Sequence, residues 1–478
     1  YNYLRKRGYY TPELTSKVIY DSSKRKADVL YQLVLGPVFK IDSVFYSGDP
    51  LMMRNHAAYL NDRLADEDKH PLIGQSFNID VLDKYRQEFS KDMRNHSYYK
   101  YSASNIEFVA DTSNKTMSVI LNMKFNKQMV PFNDNSDSLV VRPYLYTEIN
   151  KVYFHLSDTL HVDGNFSDYC NCQDFENPDY RQYFLTKENL RFMDRSLPKN
   201  KRKKGQDKDQ MDSTRIIHVK YNGAKPWIKP DILELNNYLE QYKYFKDDYA
   251  ARSLKGLSQL GLFSSIKPVF KEVDNTGLNH YLMDVHYFLT PSKKQSIAFD
   301  NRFTTSLGLL GANASINYVN KNIFRGAEKL TISLGGGFET QTLVFNDNDE
   351  NTKFPFNTIE FGPSVKLDLI GLTPFPPAAL SKRHRARTQI SSGYNFEKRD
   401  IFERQVFQLN YMWKFFVDKT QIFQLGLPGA SVIKLVNINK SVDFQNQLNN
   451  LNDVFLNNAY SNQFIWQDLK IAFEYNNA

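Results

Sequence analysis

The side chains best equipped for chemistry are Cys170 and Cys172, nine histidines, the Ser264-Ser265 pair and the basic run Lys199-Asn200-Lys201-Arg202-Lys203-Lys204. A thiolate zinc site needs about four ligands, commonly from two closely spaced pairs. Cys170-Asn171-Cys172 has no second pair, and one intervening residue is poor spacing for an ordinary disulfide, so the two read as loop cysteines. No His-Glu-x-x-His spacing, Gly-x-Ser-x-Gly elbow or phosphate-binding glycine loop occurs. Ser264-Ser265 is expected in a strand turn, away from any base. The basic run could attract nucleic acid or anionic lipid, but no aromatic residues interleave it and it reads as a solvated loop. The expectation is a protein without catalytic residues, cofactor or metal, not an enzyme, and without a nucleic-acid partner.

The elements that carry these residues follow from composition and periodicity. A chain of 478 residues implies about three or four domains. Its net charge of +8 is modest for that length, while 30 Tyr and 35 Phe favour pleated strands and membrane interfaces. Mean hydropathy is −0.54. No apolar run reaches the ~18 residues of a membrane helix, so a membrane location would require a β-barrel. The chain starts at Tyr1 without a leader pattern, and an incomplete first repeat is expected.

Three segments share one plan. The clearest, 36–128, begins with a strand at Val38–Tyr46 and a helix around Leu51–Leu64. A second helix follows, in which Ile79, Leu82, Tyr85, Phe89 and Met93 recur at three- and four-residue steps behind the capping candidate Asn78. Strands at Asn105–Ala110 and Met117–Phe125 flank the turn-forming Asp-Thr-Ser-Asn-Lys. Residues 1–35 repeat only the ending, with Leu4–Tyr10 matching the segment after the second helix and strands near Lys17–Tyr20 and Ala27–Val34. Residues 140–291 form the third copy. Its strand Thr147–Phe154 precedes a helix near Pro230–Gln241, a helix from Asp247 that closes on Leu260-Gly261-Leu262-Phe263, and two strands at Ser265–Val273 and Tyr281–Leu289. A charged insertion, about 157–214, interrupts it and reads as a flexible loop.

From about Ser296 two-residue alternation replaces helical periodicity. Leu330, Ile332, Leu334 and Phe338 alternate with Thr331, Ser333, Gly335 and Gly337, and similar runs occupy Ile359–Leu369, Val406–Lys414 and Gln467–Asn476. Runs of nine to eleven residues with charges and glycines on one face suit a tilted membrane strand beside a wet lumen. Roughly eight strands are expected in 295–478, about half a barrel of this type, so residues beyond the C-terminus are expected to be missing.

Helix, glycine, aromatic residue and two antiparallel strands resemble the polypeptide-transport-associated (POTRA) module, most closely at Leu260, Gly261 and Phe263. Asn320, Asn322, Phe324, Gly326 and Glu328 resemble an early barrel hairpin of the BamA/TamA-type outer-membrane assembly superfamily, whereas Arg325-Gly326-Ala327 departs from it. The second and third modules are most similar to the TamA-like TamL proteins of Bacteroidetes. The resemblance implies α+β POTRA modules (β-α-α-β-β) in the periplasm, followed by the N-terminal part of a transmembrane antiparallel β-barrel in the bacterial outer membrane. It implies protein insertion, with nascent β-barrel or exported proteins, outer-membrane lipids and periplasmic or inner-membrane proteins as partners. The first strand, with Ile297, Phe299, Asn301, Phe303 and Thr305, would pair with the last in a lateral gate that templates substrate strands. A dedicated secretion pore of the same superfamily, a non-catalytic scaffold and a lipid-transport component are the alternatives.

Overall fold

A computed structural model of the chain describes residues 2–9, 11–21, 26–63, 70–112, 117–131, 138–156, 217–221, 226–273, 279–306, 309–340, 358–374, 386–416, 421–426, 428, 431–451, 453–467 and 469–475. Cys170, Cys172, the 157–214 insertion, the basic run 199–204 and Asn476 lie outside them. Contacts divide the chain into two compact units. One is Tyr1–Asn150 with Gln241–Ala251 and Lys271–Asp284; the other is Lys151–Glu240 with Arg252–Phe270 and Val285–Ala478.

The chain starts with helix α1 (Asn2–Lys6) and a two-stranded antiparallel sheet of β1 (Glu13–Asp21) and β2 (Lys26–Val34). The next module runs β3 (Lys40–Gly48), α2 (Pro50–Arg63), α3 (Ile79–Asn95), β4 (Ile106–Asp111) and β5 (Ser118–Phe125). Its sheet order is β3-β5-β4, with β3 parallel and β4 antiparallel to β5. Asp49 starts α2 by accepting from the Leu51 and Met52 amides at 2.9 and 3.1 Å. Asn78 starts α3 by accepting from the Asp80 amide, as its position implies. Leu82, Tyr85, Phe89 and Met93 then enter a core with Met52, Val119, Leu121, Met123 and Phe125. Each such side chain contributes about 1.5–3 kcal/mol. The order strand, helix, helix, strand, strand is the one expected for 36–128.

A short hairpin of β6 (Gln128–Pro131) and β7 (Leu139–Arg142) leads into the third module. That module comprises β8 (Thr147–Leu156), β9 (His218–Lys220), α4 (Pro230–Leu235), α5 (Asp247–Gln259), β10 (Phe263–Val273) and β11 (Tyr281–Pro291), with sheet order β10-β11-β8-β9. Helix α4 stops at Leu235, short of Gln241, where the Asn236 side-chain amide turns back to the Ile232 carbonyl and that of Asn237 reaches forward to the Leu239 carbonyl. In the first compact unit Arg94 pairs with Asp247 at 3.1 Å and the Asn95 side chain accepts from the Asp248 amide at 2.8 Å.

The remaining strands are β12 (Gln295–Ser306), β13 (Leu309–Asn320), β14 (Lys329–Thr340), β15 (Thr358–Ile370), β16 (Arg387–Arg399), β17 (Phe402–Phe416), β18 (Gln421–Gly426), β19 (Val432–Lys440), β20 (Gln463–Gln467) and β21 (Ile471–Tyr475). They form one ten-stranded antiparallel sheet. These ten occupy eight lanes. Strand β17 pairs with β18 through Met412–Phe416 and with β19 through Phe402–Asn410, while β18 pairs with β21 and β19 with β20. The run expected as one strand at Gln467–Asn476 therefore belongs to two, β20 and β21. Two helices, α6 (Val442–Leu451) and α7 (Val454–Ala459), interrupt the alternation between β19 and β20. Asp453 caps α7 by accepting from the Phe455 and Leu456 amides. Among the described residues β12 pairs with β13 alone, not with β20 or β21, so the sheet does not close. The architecture is α+β modules followed by an open, barrel-type antiparallel sheet. No described helix is long and apolar enough to cross a membrane.

Candidate functional site

Strand register sorts the barrel-type sheet into two faces. Ile297 lies opposite Tyr318, Tyr318 opposite Ile332, and Ile332 opposite Val365. A second apolar row runs Phe299, Ile316, Leu334 and Pro363. Across the far lanes the same face carries Leu409, Ile433 and Trp466, and Phe407, Leu435 and Phe464. The other face is polar. There Asn317 donates to Asp300 at 2.9 Å, and Gln408 donates to Asn410, which donates to Ser391. Glu397, 3% exposed, accepts from Arg399 and Arg404. A cavity of about 540 Å³ is lined by residues that include Ser364, Lys366, Ser391, Gln408 and the Gly335, Gly362 and Gly393 backbone.

Strand β12 is the edge of this sheet on the module side of the sequence. Ile297, Phe299, Asn301, Phe303 and Thr305 follow one another at two-residue spacing, opposite Tyr318, Ile316, Ala314, Ala312 and Leu310. Ile297, Phe299 and Phe303 are exposed, Phe303 by 83%. One side of β12 is occupied by β13; its other backbone edge faces no strand among the described residues.

The turn between β13 and β14 gathers the hairpin residues. Asn320 accepts from the Asn322 amide at 3.1 Å. Asn322, 3% exposed, donates through Nδ2 to the Trp227 carbonyl at 2.8 Å and accepts from the Ala327 amide at 2.9 Å. The Glu328 carboxylate accepts from the Phe324 and Gly326 amides at 3.2 and 2.8 Å, and lies 3.8 Å from Lys229 Nζ. A Cβ on Gly326 would come within 2.2 Å of Glu328 Oε1, so a side chain there would push the carboxylate away from its two amide donors. The Lys229 amide donates to the Arg325 carbonyl at 2.7 Å. Arg325 and Ala327 hold φ of +66° and +59°. The turn is thus fastened to residues 227–229, immediately before α4.

In the third module α5 ends where Gly261 adopts φ +67° and its amide donates to the Ser258 carbonyl. Leu260 donates to the Leu257 carbonyl, and the Phe263 ring meets Trp227 edge-on at 5.6 Å. Ser264 lies inside β10 instead of in a turn, and its hydroxyl donates to the Pro291 carbonyl at 3.1 Å.

One polar constellation escaped the sequence reading. In the 36–128 module His56 Nε2 lies 2.7 Å from the Tyr85 hydroxyl, which lies 3.3 Å from His70 Nε2. His70 Nδ1 accepts from the Leu72 amide at 3.2 Å. Burial, with the neighbouring His70, lowers His56 to about 3; burial lowers His70 to about 4. Burial likewise raises the Tyr85 hydroxyl. The signal was present in part, since His56 shares a helix face with Met52 and Tyr59, both buried. No cluster of three or more His, Cys, Asp or Glu suited to a metal occurs among the described residues.

No family model and no curated protein matches the chain. Solved structures do. BamA from Haemophilus ducreyi lacking POTRA domains 1–3 is 12% identical, with a TM-score of 0.46 over 92% of this chain and 60% of that one. The POTRA3–5 structure of Haemophilus influenzae BamA is 11% identical over 60% of this chain and 76% of that one, with a TM-score of 0.28. CdiB from Acinetobacter baumannii is 9% identical over 84% of this chain and 62% of that one, with a TM-score of 0.24. The chain thus spans 60% of the length of the first of these structures.

Proposed function

We propose that this chain is the periplasmic and early-barrel portion of an outer-membrane protein assembly factor, TamL-like within the BamA/TamA type. Its modules would receive nascent β-barrel or exported proteins in the periplasm. The barrel-type sheet would stand in the outer membrane with its apolar rows toward lipid and its polar face toward water. On this reading the protein works by backbone templating without catalytic residues. The observation that carries the proposal is the ten-stranded sheet with one apolar and one polar face, whose first strand β12 presents exposed Ile297, Phe299 and Phe303 at two-residue spacing. A strand entering lipid must satisfy its amides and carbonyls, and a first strand released from its partner would supply them, at several kcal/mol for each group otherwise left unpaired. Exposed apolar side chains at two-residue spacing give an incoming amphipathic strand a matching lipid face.

Controlled depletion in the native host, followed by quantitative proteomics of the outer membrane, tests the proposal. Early loss of many β-barrel proteins is expected. Loss of one exported protein with the others intact would assign the chain to a dedicated secretion pore, and unchanged barrels with altered envelope lipids would assign it to lipid transport.

A further inference from the structure

The buried histidines of the 36–128 module stand at a structurally consequential place. Residues 70–77 run beside β3 as a strap: the Gly74 amide donates to the Ile41 carbonyl at 2.8 Å, the Ile41 amide to Gln75 at 2.9 Å and the Phe77 amide to Phe39 at 2.7 Å. An isolated bridge joins Lys40 to Ser76. The strap therefore occupies the backbone edge at Phe39–Ile41, the start of β3, on the side that β5 leaves free. His70 is its first described residue, and the Tyr85 hydroxyl joins it to His56 on α2.

The hydrogen-bond chain has one consistent direction. His70 Nδ1 accepts from the Leu72 amide, so a neutral His70 carries its proton on Nε2 and donates to the Tyr85 oxygen. Tyr85 then donates to His56 Nε2. A proton added to His56 meets the Tyr85 hydroxyl hydrogen, and a proton added to His70 meets the Leu72 amide hydrogen. Either event turns a hydrogen bond into a donor–donor contact inside a low-dielectric core. Groups packed around His56 are Tyr46 from β3, Tyr59 from α2, Tyr85 and Phe89 from α3, Phe125 from β5 and His70 itself. Those facing His70 are Tyr46, Tyr85 and His56. None is a carboxylate that would welcome a second proton. The charged Arg63, Glu88 and Asp92 bear on Tyr59, and Arg63 and Glu88 on Tyr85.

We infer that the His56–Tyr85–His70 chain is an acid-released latch: protonation frees strap 70–77 and uncovers the backbone edge at Phe39–Ile41, where β3 starts, for strand addition. An opened strap lets histidine titrate near its ordinary value of about 6.5. The sign follows: the folded state holds both histidines neutral, so stability is complete above pH 6.5 and falls as pH drops below it. From pH 7.5 to 5.5 the opening constant should rise about tenfold for one released histidine and about a hundredfold for two.

Hydrogen exchange of the full chain across that range, corrected for intrinsic rates, tests the latch. Amides of 72–77 and of Ile41 should lose protection by ten- to a hundredfold, while those of β4 and β5 and that of Phe39, which donates to Gly8, keep theirs. His70→Asn retains an acceptor for the Leu72 amide without titrating and should cut the response about tenfold. A flat wild-type profile, or equal loss throughout β3, β4 and β5, overturns the inference. So does an unchanged acid response in H70N; if that variant does not fold, the wild-type pattern alone decides.

Discussion

Replacing Asn322 by alanine isolates the clip between the first barrel hairpin and the segment before α4. The substitution removes the donor to the Trp227 carbonyl and the acceptor for the Ala327 amide. Both lie where water enters poorly, since Asn322 is 3% and Ala327 9% exposed. A buried group left without its partner costs about 1–3 kcal/mol, so the pair is expected to cost about 2–5 kcal/mol. Ala327 adds to this, because its φ of +59° is tolerated only while the turn is over-determined. Locally that cost corresponds to about a 30- to 5000-fold rise in amide exchange for 227–229 and 322–328. The assay is hydrogen exchange by mass spectrometry on the chain reconstituted in lipid vesicles. Asn322→Asp keeps the acceptor for Ala327 and turns the other contact into oxygen facing oxygen, so exchange should rise mainly at 227–229. Less than a threefold change in N322A would refute the view that these two bonds hold the turn.

Three further outcomes follow from the same geometry. Phe299→Lys, on the apolar face, should destabilise vesicle-inserted protein by about 2–4 kcal/mol if that row sits near mid-membrane, whereas Ala298→Lys on the polar face should cost under about 1 kcal/mol; urea titration in vesicles reads both. Gly261→Ala should cost about 1 kcal/mol in denaturant titration, because φ is +67° although no atom lies within 4 Å of the added Cβ. Asn95→Ala should cost about 1 kcal/mol through the lost cap on the Asp248 amide, and more than Arg94→Ala in high salt, where the partly exposed pair with Asp247 is screened; paired urea titrations at low and high salt compare them.

Where local pattern and tertiary environment agree, the sequence was readable. Leu82, Tyr85, Phe89 and Met93 mark one helix face and α3 buries them together with Ser90, whereas Ile79, at the exposed first turn, stays 46% exposed. Leu330, Ile332 and Leu334 alternate because one sheet face differs from the other, a property each strand carries alone. Helices α6 and α7 went unread because both are short and carry asparagine, a poor helix former, three times and twice respectively. Strand β9, three residues beyond a long insertion, has no local signal; pairing with Tyr153–His155 creates it. The role of His70 depends on Tyr85 and on β3, and spacing along the chain encodes neither. The hairpin residues were legible as turn formers, but their attachment to Trp227 and Lys229 joins positions almost a hundred residues apart.

The divided lanes of the sheet obey a parity rule. Between the pairs Leu425–Ile471 and Val432–Gln467 the last lane advances four residues, while β17 advances three between Trp413 and Asn410. One extra residue reverses the pleat, so odd-numbered Ile471 and Phe473 share their face with even-numbered Phe464 and Trp466. The segment between Gln467 and Ile471 is therefore a phase shifter. Length changes there are not equivalent: gaining or losing two residues preserves the greasy surface, whereas a single-residue change obliges either Trp466 or Ile471 to turn inward. Indels among homologues of this sheet should accordingly come in even steps at that point.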